Sequence, residues 1–538
     1  MLRFVFLVGL FSATLLAQIT LREINSKPSS IAKDFLIWQY LQQKNISKNS
    51  AIAAYRQVKR HTKKLQKLYL KKNPNDAKLL YKIKCQKRED LYNIKDKRCL
   101  EYAFMSYKTL YMNNTQREKV KKRVKKSWQK RLIAIQSEPY SIEAYKKYDN
   151  DTVLRMFINV SQSFRHKHLD LYINKNYINT LAHSIKMAQF IDIVMRDKKL
   201  KNLQRSLYNL KPKNLDAKSN FLMALFYIKQ DKKRKAIKHL KKAYKKYIKH
   251  SDKDKTLFWL YKLTKKKRVL KALLYSKNIN IYTLYAREVL KKPPLNFFTY
   301  TKTNKQYNYE DIKDPFIWYK ISKKLKKTPK EKLFKLYLEY QQKNMVPIQS
   351  YILEKAYDYK FHAYVMPYNQ YLLDATNDEK ALVYAIMRQE SRFIPSAISP
   401  SYALGLMQLM PFLINEIAQK KHEKVQYKDF FHPKKNIEYA RKHIQWLQKK
   451  LHHPLLIAYA YNGGIGFLKR HIKSGAFSNK KYEPYLSMEL MKNSETREYG
   501  KKVLANYIVY KTILQEDVSL INMLKKLKKQ ENFEYFRN

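Results

Sequence analysis

The chain has 538 residues and carries 112 Lys+Arg against 43 Asp+Glu, a formal charge of +69. A hydrophobic content of 45% supplies material for a core and excludes a disordered polycation. Only seven glycines occur, none between Gly9 and Gly405. Over most of the length this excludes phosphate loops, dinucleotide-binding turns and meanders of tight hairpins, which need glycine for positive φ or close backbone approach. Long helices remain, in about two to four domains at the usual domain size.

At the N-terminus, Met1-Leu2-Arg3 is followed by an apolar run from Phe4 to Ala17. One positive charge, a short apolar core and a small residue before Gln18 predict a secretory signal peptide over residues 1–17. A spanning helix would take about 20 apolar residues. An uncleaved N-terminal anchor is the alternative. No cysteine follows the run, so a lipid anchor is not expected. No other run of that apolar length occurs, so no stable membrane insertion is expected after cleavage. Cys85 and Cys99 are the only cysteines. In an exported protein they either pair or stay as two buried thiols. On one continuous helix they would lie too far apart to bond, so a bridge requires a turn between them.

From about Ser29 to Lys292 the pattern is helical. Phe221–Gln230, a polar break at Asp231, and then Ala236, Ile237, Leu240, Ala243, Tyr244 and Tyr247 read as two helices of one hairpin, the second with apolar positions at i+3 and i+4. A row of such hairpins makes an irregular α-solenoid, with ordinary helical bundles as the nearest alternative. No full tetratricopeptide signature is present. From about Tyr300 to Pro367, prolines at 315, 329 and 347 mark short bridging helices. The remainder holds six of the seven glycines. The boundaries expected are 1–17 signal peptide, 18–299 solenoid, 300–366 helical linker and 367–538 a glycine- and loop-rich domain, the usual setting for chemistry.

Residues 371–538 hold 28 Lys+Arg and 16 Asp+Glu, net +12, which leaves 84 against 27, net +57, on the first 370 residues. Such an arm attracts polyanions in a salt-sensitive way. Tyrosine interleaved with lysine, as in Ala243-Tyr244-Lys245-Lys246-Tyr247, suits nucleic acid. Export argues against nucleic acid and points to cell-wall carboxylates or anionic headgroups. A lysine-rich composition set by an AT-rich genome explains the charge as well.

Ala381–Ser391 reads as a helix in which Val383, Ile386, Met387 and Glu390 fall at i, i+3, i+4 and i+7. Glu390 therefore extends an apolar stripe, where desolvation raises a carboxyl pKa as a general acid near neutral pH requires. The plain alternative is a glutamate at a helix end whose head reaches water. Downstream stand Gly405-Leu406-Met407-Gln408, Ala460-Tyr461-Asn462 and Glu495-Thr496-Arg497. With Glu390-Ser391 these four ordered motifs resemble the catalytic domain of soluble lytic murein transglycosylases, which has a goose-type lysozyme-like fold. The motifs span the last third of the chain. The large family members also share the order of signal peptide, helical superhelix, linker and catalytic domain. The fold class expected is all-α, an irregular superhelix followed by a lysozyme-like domain.

The resemblance implies a single carboxylate, where ordinary glycosidases use two. Glu390 would protonate the β-1,4 bond between N-acetylmuramic acid and N-acetylglucosamine in peptidoglycan. It would then deprotonate the muramoyl 6-hydroxyl, giving a 1,6-anhydro end. Tyr461 would hydrogen-bond Glu390 or the sugar, with a core tyrosine as the alternative. Gln408 and Asn462 would orient N-acetyl groups or backbone, and Ser399 would sit near the muramoyl N-acetyl group. Met407 and Met410 would line the apolar side of the pocket or simply pack in the core. Glu495 would bind a neighbouring sugar or pair with Arg497 or a lysine. Two departures from the family pattern stand out. Tyr402 replaces a usual glycine and is expected to narrow the cleft, and Gly463-Gly464-Ile465-Gly466 replaces Ala-Gly-Pro-Gly.

Other chemistries lack their residues. No His-Glu-x-x-His and no Gly-x-Ser-x-Gly occurs, so neither metal nor cofactor is expected. The expected partner is the peptidoglycan glycan strand, with cell-wall synthesis proteins as further candidates, and the expected location is the periplasm. A hydrolytic muramidase would need a second carboxylate, for which Glu416, Asp429 and Glu438 are the candidates. A non-catalytic basic solenoid that binds wall glycan or nucleic acid is the alternative from another class.

Overall fold

The computed structural model describes residues 18–294, 297–303, 311–478, 480–528, 533, 535 and 536. The expected signal peptide lies outside the described residues. Among the described residues the chain is built from helices and connecting turns. The strand content is two parallel two-residue strands, Phe297–Phe298 and His362–Ala363.

The first half is a succession of short helices packed pairwise. Ala217–Lys229 and Lys233–Lys246 form the hairpin anticipated from the apolar spacing, with Ala236, Leu240 and Ala243 of the second helix fully buried. Side-chain caps start many of these helices. Asp76 accepts the amide of Leu79, and Asp216 that of Ser219, each satisfying an amide the helix leaves free. Cys85 ends in Ala77–Lys87 and Cys99 begins in Lys97–Ala103. The turn between them, containing Leu91–Asn93, brings the two Cα atoms to 5.2 Å and the thiols are joined as a disulfide. Around the bridge Leu91, Ile94, Leu100, Val120 and Ile133 form a small separate core.

The helices Pro315–Lys327, Leu333–Glu339 and Val346–Ala356 enclose another core, with Ile321, Leu325, Leu333, Ile348 and Ile352. That core also takes in Ile394, four residues after Glu390. The C-terminal region is a bundle of Asn377–Glu390, Pro411–Lys420, Pro433–Gln448, Pro454–Gly463 and Ser494–Ile513. Its long helix Ser494–Ile513 approaches Pro454–Gly463 at Gly500. A Cβ there would lie 2.2 Å from the Tyr459 ring, so the crossing requires glycine.

The chain closes on itself. From the helix Ile31–Tyr40, Phe35 and Trp38 pack against Tyr402 and Tyr427 of the C-terminal region, with ring centroids 5.5–5.9 Å apart. On another side, Tyr282 of the helical arm meets Glu489 and Lys501, and Asp231 pairs with Lys481. The C-terminal bundle is therefore held at two separate places along the arm. Tyr402 adopts φ +68°, the left-handed conformation a glycine reaches freely. Its ring lies in the contact with Phe35 and Trp38 rather than in the groove described below, so the expected narrowing of the cleft does not occur.

Candidate active site

Asn377–Glu390 starts at Thr376, whose hydroxyl accepts the Glu379 amide, with Asp378 and Glu379 in its first turn and Arg388 in its last. These signs suit the helix dipole. Val383, Ile386 and Met387 are fully buried, and Glu390 ends the same stripe. As a residue Glu390 is partly exposed, but its carboxyl group sits in a crowded hollow. Burial, with a smaller contribution from the Glu495 carboxylate, pushes its pKa up to about 7 against a counteracting hydrogen bond from Tyr499. The Tyr499 hydroxyl donates that bond to Oε1 at 2.7 Å.

The stretch from Ser399 to Met410 forms a tight double turn beside this helix. Leu404 bridges to both Ile398 and Leu409. Gly405 has φ +73°, and a Cβ there would lie 2.2 Å from Nδ2 of Asn436. Asn436, itself fully buried, donates to the carbonyls of Leu404 and Phe430 and accepts the Met407 amide. Gln408 donates to the carbonyls of Ala397 and Gly405, so it holds the turn's backbone. The Ser399 hydroxyl accepts the amides of Ala403 and Ser401.

Tyr461 donates its hydroxyl to the Met407 carbonyl at 2.7 Å. Of the two partners expected for Tyr461, Glu390 or the sugar, Glu390 takes its hydrogen bond from Tyr499, because the Met407 carbonyl faces the Tyr461 hydroxyl directly. Tyr461 still lies close enough to Glu390 for the carboxylate, after burial, to raise its pKa. Asn462 accepts the Thr496 hydroxyl at 2.8 Å, tying the second motif to the fourth. Glu495 is exposed at the start of Ser494–Ile513, and no ion pair with Arg497 forms. Arg497 meets Glu498 and the Met491 carbonyl instead. Met407 is core and Met410 reaches the groove, so the two methionines divide between the alternatives.

A groove of about 730 Å³ lies on the Tyr461–Asn462 side of this region, and Glu390, Tyr499, Ser399 and Glu495 are not among the residues that line it. Gln408, Met410, Phe412, His443, Trp446, Tyr461 and Asn462 are among the residues that line it. Phe412 is 68% exposed and Trp446 40%, which makes an open aromatic wall of the kind that packs on flat apolar ligand faces. Burial pushes the pKa of His443, stacked on Trp446, down to about 4, so the wall carries no imidazolium near neutral pH. Of the three carboxylates considered for a second role, Glu416 lines the groove but pairs with Lys420 at 2.6 Å. Glu438 pairs with Lys421, and Asp429 accepts the Gln426 amide. Among the described residues no cluster of three or more His, Cys, Asp or Glu is arranged to hold a metal ion.

Tyr499, Asn436 and the aromatic wall were not singled out as site residues from sequence. For Tyr499 a signal existed, since it stands one helical turn after Glu495 on the same face. For Asn436 none did.

Residues 367–483 match the model of the Transglycosylase SLT domain family. A curated relative from Haemophilus influenzae, named putative soluble lytic murein transglycosylase, is 32% identical over 184 residues, 33% of this chain and 30% of that protein. The soluble lytic murein transglycosylase of Salmonella typhimurium is 26% identical over 182 residues, 32% of this chain and 28% of that protein. The match thus spans under a third of these curated relatives. Beyond it, the structure of an inactive mutant of the lytic transglycosylase Slt from Pseudomonas aeruginosa superposes with a TM-score of 0.54 at 14% identity, covering 93% of this chain and 84% of that one. The chain therefore shares the all-helical superhelical fold of that structure, and its residues 367–483 are similar to the Transglycosylase SLT domain.

Proposed function

We propose that the protein is an exported peptidoglycan lytic transglycosylase acting in the periplasm, with Glu390 as its single general acid and base. In this reading residues 1–17 are a signal peptide, 18–299 the superhelix, 300–366 the linker and 367–538 the catalytic domain. The curated relatives carry that activity in their names. The observation that carries the proposal is Glu390 itself: a carboxyl group at the end of an apolar stripe, with a pKa near 7 and a phenol hydrogen-bonded to it. Near neutral pH such a group is populated in both protonation states, as one residue serving as acid and then base requires.

The reaction follows in two proton transfers. Glu390 gives its proton to the glycosidic oxygen as the C1–O4 bond breaks, and positive charge develops on the muramoyl ring. The Tyr499 hydroxyl stabilises the carboxylate left behind. That carboxylate takes the proton from the muramoyl 6-hydroxyl as its oxygen bonds to C1. Glu390 returns protonated, no water is consumed, and the intramolecular attack exploits proximity. Gln408 holds the backbone that frames the reacting sugar, and Asn462, fixed by the Thr496 hydroxyl, orients its N-acetyl groups. Met410, Phe412 and Trp446 receive the glycan's apolar faces, and Ser399 and Glu495 border it.

The test is mass spectrometry of the soluble products released from intact sacculi by the purified mature protein. Products one water lighter than the hydrolysed muropeptides, without new reducing ends, are expected. Reducing ends would make the protein a muramidase. Binding without release would leave a basic superhelix that holds the wall without cutting it.

A further inference from the structure

The helix bearing Glu390 is gripped from outside the matched domain. Glu354 lies in Val346–Ala356 with its side chain only 5% exposed. Its Oε1 accepts Nη2 of Arg388 at 2.6 Å and the Ala363 amide at 3.0 Å, while Oε2 accepts Arg392. Arg388 and Arg392 stand two residues before and two residues after Glu390. One buried carboxylate thus ties both flanks of the proposed acid to a single point.

The neighbouring contacts converge on the same place. Arg388 donates through Nε to the Ala363 carbonyl at 2.7 Å and lies over the Tyr364 ring at 4.3 Å. Its Nη1 donates to Oδ1 of Asn506, whose Nδ2 in turn donates to the Ala385 carbonyl. Asn506 belongs to Ser494–Ile513, the helix that carries Tyr499. After the acid helix ends, Arg392 and Phe393 take φ of +52° and +68°. Non-glycine residues hold that conformation only where their surroundings over-determine it. Here the surroundings are the Glu354 pair on Arg392 and the burial of Ile394 among Ile312, Ile348 and Ile352. Ser396 donates to the Ile312 carbonyl and closes the turn.

A buried ionic triad is poor evidence for stability, because desolvation offsets most of the attraction and well-packed apolar side chains hold a fold equally well. A carboxylate that gives one oxygen to each of two arginines is directional, and it fixes where the helix end sits. We infer that Glu354 is a positioning residue for Glu390: from Val346–Ala356 it sets the last turn of the acid helix and keeps the Glu390 carboxyl group in its water-poor hollow. The inference rests on the role proposed for Glu390.

The experiment measures kcat, KM and the pH profile of kcat on solubilised peptidoglycan strands for the wild type, Glu354→Gln, Arg392→Gln and the double variant Glu354→Met/Arg388→Met. Loosening the helix end lets water reach Glu390 and lowers its pKa towards the ordinary value. The alkaline limb of the profile then moves down by about one pH unit while kcat falls about tenfold and KM stays within about twofold. The double methionine variant, which leaves the buried Ala363 amide and carbonyl without these partners, is expected to melt lower yet stay folded and show the same shift. Variants that fold and keep both kcat and the limb overturn the inference. So does a loss of kcat with the limb unmoved, which is what a merely structural role produces. If Glu354→Gln does not fold, Arg392→Gln, altered at a side chain 42% exposed, decides on the same criteria. A wild type that releases no product overturns the lytic reading itself and is distinguished by that control alone.

Discussion

The hydroxyl of Tyr499 lies 2.7 Å from Oε1 of Glu390 and donates to it, across 109 residues of sequence. Burial and this bond act on the Glu390 carboxyl group in opposite directions. The first raises the pKa, and the second favours the ionised form and lowers it. Removing the phenol hydroxyl in Tyr499→Phe therefore raises the pKa of Glu390 above about 7. The alkaline limb of the pH–rate profile moves up, opposite to the shift expected when Glu354 is lost. A hydrogen bond to a charged group contributes about 1.5–3 kcal/mol, so kcat falls roughly 10- to 100-fold. Steady-state rates across pH 5–9 read both effects.

Glu390→Gln abolishes turnover, by about 10²–10⁴-fold or more, and leaves binding to sacculi intact. Its effect on stability has a definite sign. A carboxyl group whose folded pKa is raised costs the folded state stability once pH exceeds the unfolded pKa, and the full cost is reached above the folded pKa near 7. The glutamine variant should melt higher than the wild type at pH 8 and equally at pH 4. Equal shifts at both pH values would contradict the burial of this carboxyl group.

Gly500→Ala places a methyl group where the Tyr459 ring stands, 2.2 Å away. Overpacking of this kind costs about 1–3 kcal/mol, and any relief displaces the neighbouring Tyr499 from Glu390. Both melting temperature and kcat should drop. Gly466→Ala meets only the tip of Arg470 at 3.7 Å and should change neither. The pair of thermal melts with matched rate measurements is the check.

Tyr402→Gly relieves a left-handed backbone, a gain of about 1 kcal/mol. It also removes the ring that Phe35 and Trp38 pack on, and losing a large buried aromatic costs about 3–5 kcal/mol. The net is destabilisation localised to the contact between Ile31–Tyr40 and the C-terminal bundle. Hydrogen exchange should show faster exchange in that helix, while the disulfide-linked helices around Cys85 and Cys99 keep their protection.

Much of this was readable in the sequence, and what was not has a common cause. Helix spacing located the Phe221–Tyr247 hairpin and the stripe ending at Glu390, because those patterns repeat within a few residues. The Cys85–Cys99 pairing stayed open in sequence for want of a visible turn, which Leu91–Asn93 supplies. The motif offers Tyr461 as a partner of Glu390 or of the sugar, and it is Tyr499 that bonds Glu390. Both are tyrosines among 45, and which hydroxyl reaches the acid depends on how Ser494–Ile513 crosses Pro454–Gly463. Asn436 and Glu354 act on partners distant in sequence, such as Met407 and Arg388, through a few directional hydrogen bonds each. Periodicity carries no trace of such contacts.

The interlock between Gly405 and Asn436 bears on how this protein can change over generations. The asparagine amide fills the space a Cβ would take at Gly405 and at the same time satisfies two backbone groups of the turn and the Phe430 carbonyl beside it. A side chain at 405 evicts the amide, and a shorter or charged residue at 436 strands a buried amide and two buried carbonyls. Neither position offers a tolerated first step, so the two behave as one heritable unit. Descendants of this chain are expected to keep both or to rebuild the whole turn at once.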